Sequence, residues 1–218
     1  MGMSSLYVNC VDCIPITLIY SPQTAESLLD SLRKAVLSSK KARKKATYMA
    51  ETFLTLMADY DTASQFRMDE WYGAIQRAGF TGTQTPGLNH HISLATFPVD
   101  KEEEAIALTK QIAAAFAPVD VHVSHVGLFA GSRVLFAAPD MSPALTALQK
   151  ACADERPLNG LPWTPHTSML IDTPENVARA LPTLMENFEP FRGQITHLHL
   201  CAFWPTREIL RVPLTGEK

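Results

Sequence analysis

The sequence predicts an α+β protein built from two related halves, on three observations. Strands and helices alternate from Thr52 onward, one strand-helix-hairpin unit occurs twice, and the composition is that of a folded chain. With 218 residues, 46% hydrophobic and 19% charged, the chain can bury one sizeable core and carry an extension.

Taken in order, Phe53 to Ala58 reads as a strand, Ala63 to Ala78 as a helix closed by Gly79, and Asn89 to Phe97 as a second strand. Lys101 to Phe116 reads as a helix, with Glu102, Glu103 and Glu104 near the positive end of its dipole. Val119 to Phe129 and Arg133 to Ala138 form a hairpin about Ala130-Gly131-Ser132. A helix from Ser142 to Ala153 starts with the serine cap before Pro143. The last elements are a strand from Pro165 to Asp172, a helix from Pro174 to Asn187, and a hairpin of Gln194 to Phe203 with Glu208 to Pro213.

Charge marks a boundary near Met49. The 19 basic and 22 acidic residues give a net −3, yet residues 1–48 hold 7 basic and 3 acidic, so the remainder carries −7. Residues 1–48 are expected to be an N-terminal extension, partly helical or disordered, with a helix over Ser21 to Val36, and residues 49–218 to be the folded domain. Seven basic residues between Arg33 and Lys45 read as a solvated helix end or linker. A domain so acidic is a poor match for long duplex nucleic acid, which needs a continuous basic surface. Cys10 and Cys13 form the one C-x-x-C among four cysteines, with neither a following helix nor a second pair to make a redox or zinc motif. The expectation is a reducing, cytoplasmic setting. The apolar run from Val11 to Tyr20 contains Asp12 and Pro15 and is too short to span a bilayer, so no signal peptide or membrane contact is expected.

The duplication carries the functional information. HISLATFPVD from His91 and HTSMLIDTPE from His166 each precede a helix and a hairpin, and His91 to Arg133 spans 42 residues where His166 to Arg207 spans 41. On this spacing Phe129 matches Phe203, His125 matches His199, and Ser132 matches Thr206. Strand alternation puts His91, Ser93 and Ala95 on one face, opposite Ile92, Leu94 and Thr96, and puts His166, Ser168 and Leu170 opposite Thr167, Met169 and Ile171. His90 points away from His91. Each half therefore offers one imidazole and one hydroxyl on one side of a strand. A cleft between the halves would pair them: one histidine as base, the other as acid, with the Ser93 and Ser168 hydroxyls bonded to phosphoryl oxygens. Which histidine is base stays open, and no metal or other cofactor is needed.

These residues resemble the 2H phosphoesterase superfamily, which includes RNA 2′,5′-ligase-like proteins and 2′,3′-cyclic phosphodiesterases. Its signature is two copies of His-hydrophobic-(Ser/Thr)-hydrophobic, here HISL at His91 to Leu94 and HTSM at His166 to Met169, with Thr167 where an apolar residue is usual. The resemblance covers about Met49 to Leu214. It implies a bilobal fold of two pseudo-twofold-related lobes, antiparallel sheets lining a central cleft and helices outside. It also implies catalytic His91 and His166, phosphate-binding Ser93 and Ser168, and a small nucleotide or RNA-terminus substrate turned over by a monomer. A non-catalytic nucleotide or RNA-end binder using the same cleft is the alternative. A metal site from His91, His166, His197 and His199 is a third reading, without adjacent carboxylates to support it. Arg133 and Arg207, each after a hairpin turn, read as solvated; Trp163 reads as core packing or a base-stacking surface.

Overall fold

The computed structural model describes residues 4–6, 18–20, 52–153 and 163–217. Its two units are residues 1–50 and 51–218. In the first, strand β1 (Ser4–Leu6) pairs antiparallel with β2 (Leu18–Tyr20), placing Ser4 opposite Tyr20. The helix expected over Ser21 to Val36, the basic cluster and the Cys10/Cys13 pair lie outside the described residues.

The second unit runs β3 (Phe53–Tyr60), α1 (Thr62–Arg77), β4 (His91–Phe97), a 3-10 turn (Val99–Lys101), α2 (Glu102–Ala115), β5 (Val119–Phe129), β6 (Val134–Pro139), α3 (Pro143–Cys152), β7 (Thr167–Ile171), α4 (Pro174–Asn187), β8 (Phe191–Phe203) and β9 (Arg207–Pro213). Helix starts follow local chemistry. Asp61, Ser142 and Thr173 side chains accept the backbone N–H of Ser64, Leu145 and Asn176, satisfying donors the first turn leaves orphaned. Gly79, at φ 93°, takes the left-handed conformation that ends α1.

Seven antiparallel strands form one sheet in the order β4-β3-β8-β5-β6-β7, with β9 also on β8. This is the expected α+β class, an antiparallel sheet with four helices. The thirteen-residue β8 joins the halves: Phe191 to Ile195 pair with β5, and His197 to Ala202 pair with β9. One apolar cluster spans both halves, with Leu56, Met68 and Ile92 from the first and Leu135, Leu145 and Met169 from the second all fully buried.

The duplication is larger than the sequence spacing suggests, and its register is different. Leu56, Met57 and Ala58 of β3 oppose Ala95, Ser93 and Ile92, just as Leu135, Phe136 and Ala137 of β6 oppose Leu170, Ser168 and Thr167. The repeat is therefore strand-helix-strand-helix-strand, β3-α1-β4-α2-β5 against β6-α3-β7-α4-β8, and β9 has no counterpart. The last strand of each repeat is exchanged: β5 pairs with β6, and β8 with β3. Where β5 and β8 meet, the ladder is symmetric about Val121 opposite Gly193, as a local pseudo-twofold requires.

Two corrections follow. His125 corresponds to His197, not His199: they oppose Ala138 and Asp59 at equivalent places, and a bulge precedes each, at Ser124 and Thr196. The bulged hydroxyls behave alike, each meeting the next histidine's Nδ1 at 2.9 Å. Matching Ser132 to Thr206 and Arg133 to Arg207 fails for the same reason, because the first turn links the repeats while the second leads into the added β9. Strict alternation also fails past the serines. Leu94 and Met169 are skipped in the pairing with β3 and β6, and an extra residue turns those that follow to the other face. Ala95 and Leu170 are therefore buried, while Thr96 is exposed.

Candidate active site

The motif strands β4 and β7 lie at opposite ends of the strand order, yet they meet. The buried Tyr60 hydroxyl is 2.9 Å from Thr167 Oγ1, and the Trp163 indole N–H donates to the Ser93 carbonyl at 2.8 Å. The loop after α1 completes the closure, with Thr83 N–H donating to the Ile171 carbonyl (2.7 Å) and Ile171 N–H to Gln84 Oε1 (3.2 Å). These bonds satisfy the edge of β7 and wall off a cavity of about 470 Å³. His91, Ser93, Thr167 and Ser168 line it together with Asn89, Tyr72, Phe53, Phe203 and Trp204.

Three of the four expected site residues, His91, Ser93 and Ser168, thus share one cavity. His166 is not among the lining residues. Its ring stands edge-on to Phe129 at 4.8 Å and against Phe136 at 5.5 Å. Gly127 makes room for this seat, since a Cβ there would come within 2.6 Å of the Phe136 ring.

The two histidines are held in the same way. His91 Nδ1 is 2.7 Å from the Asn89 carbonyl, and His166 Nδ1 is 2.8 Å from the Thr164 carbonyl, each two residues earlier. A carbonyl only accepts, so Nδ1 carries the proton in both rings and Nε2 keeps the lone pair. Burial lowers the pKa of both, opposed at each by that carbonyl and at His91 also by the charge of Asp59.

The other histidines fall elsewhere. His90 is clamped by Gln65, which accepts its N–H at 2.9 Å and donates to its carbonyl at 2.8 Å, and its ring meets Asp69 at 3.1 Å. It still borders the cavity. His199, only 4% exposed, lies 3.5 Å from Asp59 and 3.0 Å from Glu208. Burial disfavours its imidazolium, but Asp59 and Cys201, whose Sγ is 3.1 Å from Nε2, together outweigh this and its pKa is pushed up to about 10. Among the described residues no cluster of His, Cys, Asp and Glu is suited to a metal ion. Arg207 grips Glu102 at 2.6 and 3.2 Å, and Trp163 serves as the tie to Ser93. No helix among the described residues is long and apolar enough to cross a membrane.

Sequence reasoning missed Asp59, Asn89, Tyr60 and the Phe129/Phe136 seat. Asp59 did leave a signal, a carboxylate inside the apolar strand FLTLMADY. The carbonyls that orient the histidines leave none, because every residue has one.

A duplicated α+β fold with a His-x-Ser sequence at the start of the matching strand in each half, at His91 and His166, is that of the 2H class of phosphoesterases. The chain belongs to the 2′-5′ RNA ligase superfamily, whose sequence model matches residues 63–203. Its fold is similar to that of E. coli LigT complexed with 3′-AMP (TM-score 0.54, 19% identity, 76% of this chain and 99% of that one). It is also similar to TT0787 of Thermus thermophilus (TM-score 0.55, 14% identity, 76% and 100%). No curated protein matches the chain.

Proposed function

We propose that this protein is a metal-independent phosphodiesterase, or an RNA-ligase-like phosphotransferase, acting on 2′,3′-cyclic phosphate or 2′,5′-linked nucleotide or RNA termini. The observation that carries the reading is the matched pair of Nδ1–H to carbonyl bonds, which leave two equivalent Nε2 atoms for proton transfer. In hydrolysis, one Nε2 takes a proton from water as the water oxygen bonds to phosphorus. The bond from phosphorus to one ribose oxygen breaks, and the other histidine, as imidazolium, protonates that oxygen. A ribose 5′-hydroxyl in place of water yields a 2′,5′ link instead. Ser93 and Ser168 donate to the non-bridging oxygens as charge builds there. Phe53 and Phe203, stacked at 5.6 Å, and the half-exposed Trp204 offer a flat apolar wall suited to a nucleobase. Structures of E. coli LigT with 3′-AMP and with phosphate are consistent with a ligand of this kind.

The test is turnover of 2′,3′-cyclic mononucleotides and 2′,5′-dinucleotides by the full chain with EDTA present. The expected rate is bell-shaped in pH, with the base limb below the usual histidine pKa of about 6.5 because burial lowers both rings. His91→Ala or His166→Ala should lower it about 10²- to 10⁴-fold. The double variant should lose little more, since groups acting as a unit are non-additive. Unchanged turnover in folded His166→Ala refutes the mechanism. Loss with EDTA and recovery with zinc would establish a metal enzyme, and nucleotide binding without turnover a binding protein.

A further inference from the structure

The two histidines are oriented alike but supported differently. Thr164, which orients His166, precedes a ring that rests against two phenyl groups, Phe129 and Phe136, themselves packed at 4.4 Å. Asn89 and Thr164 are both exposed residues at the end of a loop, but Asn89, which orients His91, is also tied down through its side chain. Its side-chain amide donates to Asp59 Oδ2 at 3.1 Å. That same oxygen accepts from Arg211 Nε at 2.8 Å and lies 3.5 Å from His199 Nδ1. Asp59 is 0% exposed, and its other oxygen has no hydrogen-bond partner among the described residues.

A fully buried carboxylate held between two cations is a costly way to fill a strand position, and well-packed apolar residues generally do as well. The fold itself shows that no acid is needed. Asp59 opposes His91 on β3, and the equivalent residue of β6, one beyond the Ala137 that opposes Thr167, is Ala138. The repeat folds around alanine in one half and places a buried ion network in the other. What differs between the halves at that point is the histidine's support.

We propose that Asp59 is a positioning residue for His91: its carboxylate anchors the Asn89 side chain, and the Asn89 carbonyl so held fixes the His91 ring with Nδ1–H engaged and Nε2 left for the substrate. Arg211 and His199 keep the carboxylate charged and in place. This inference rests on the reading of His91 as a proton-transfer group.

The experiment combines imidazole ¹⁵N NMR with steady-state kinetics on 2′,3′-cyclic mononucleotides, for the wild type, Asn89→Ala and Asp59→Asn. Asn89→Ala removes the tether at an exposed position, so it keeps the test alive if Asp59→Asn does not fold. Expected are a single Nδ1–H tautomer of His91 in the wild type and a mixture in the variants. His166 signals should stay unchanged, and kcat should fall about 10- to 100-fold at constant KM. A His91 tautomer unchanged in Asn89→Ala would overturn the proposal whatever the rate does. So would a rise in KM alone, which would make Asn89 a substrate contact. If the wild type turns over nothing, the proposed function fails, while the tautomer measurement still decides the role of Asp59.

Discussion

Replacing Tyr60 by phenylalanine isolates the bond that ties the two halves beside the cavity. The Tyr60 hydroxyl and Thr167 Oγ1 are 2.9 Å apart, with the two residues 2% and 1% exposed. Burial raises the phenol pKa, so the group is a neutral hydroxyl at every working pH. Tyr60→Phe keeps the ring and removes one oxygen. It forfeits a bond of about 1 kcal/mol net and leaves the Thr167 hydroxyl buried without that partner, a further cost of about 1–3 kcal/mol. A loss of about 2–4 kcal/mol should appear as a urea midpoint lowered by about 1–2 M, for a slope near 2 kcal/mol/M. Thr167→Val should cost a similar amount, for the mirror-image reason. The double variant, with apolar groups of the same shape on both sides, should be about as stable as either single one, a coupling as large as one single loss, about 2–4 kcal/mol. Additive losses would show that the hydroxyls do not act on each other and would refute the reasoning. The same bond explains why threonine stands where the motif usually has an apolar residue.

Other consequences are as direct. Gly127→Ala should destabilise by about 1–3 kcal/mol, because the added methyl meets the Phe136 ring, and should slow turnover by unseating His166; calorimetry and initial rates measure the two effects. His199 has its folded pKa raised from 6.5 to about 10, so its contribution to stability is complete below about pH 6.5 and is lost as pH rises through about 10. Urea midpoints across that range should fall in the wild type and flatten in His199→Gln. Deleting residues 1–48 should leave a cooperatively unfolding, active domain, measured by thermal melts and turnover; loss of cooperativity would place the extension in the core.

The order of strands and helices beyond Thr52 was legible because period-2 and period-3.6 apolar patterns, caps and turn glycines are local properties of the chain. So was the pairing of His91 with Ser93, which share a strand face and line one cavity; His166 stands just before β7 and outside the cavity that Ser168 lines. Tertiary structure decided what depends on partners. Alternation failed one residue past each serine because the facing strands skip Leu94 and Met169, and the match of His125 to His199 failed because the repeat is defined by strands that oppose each other. Spacing along one strand contains neither fact. The sequence showed Asp59 as an acid in an apolar run, but its link to His91 passes through an amide thirty residues away and a backbone carbonyl, contacts that exist only once β3 and β4 are side by side.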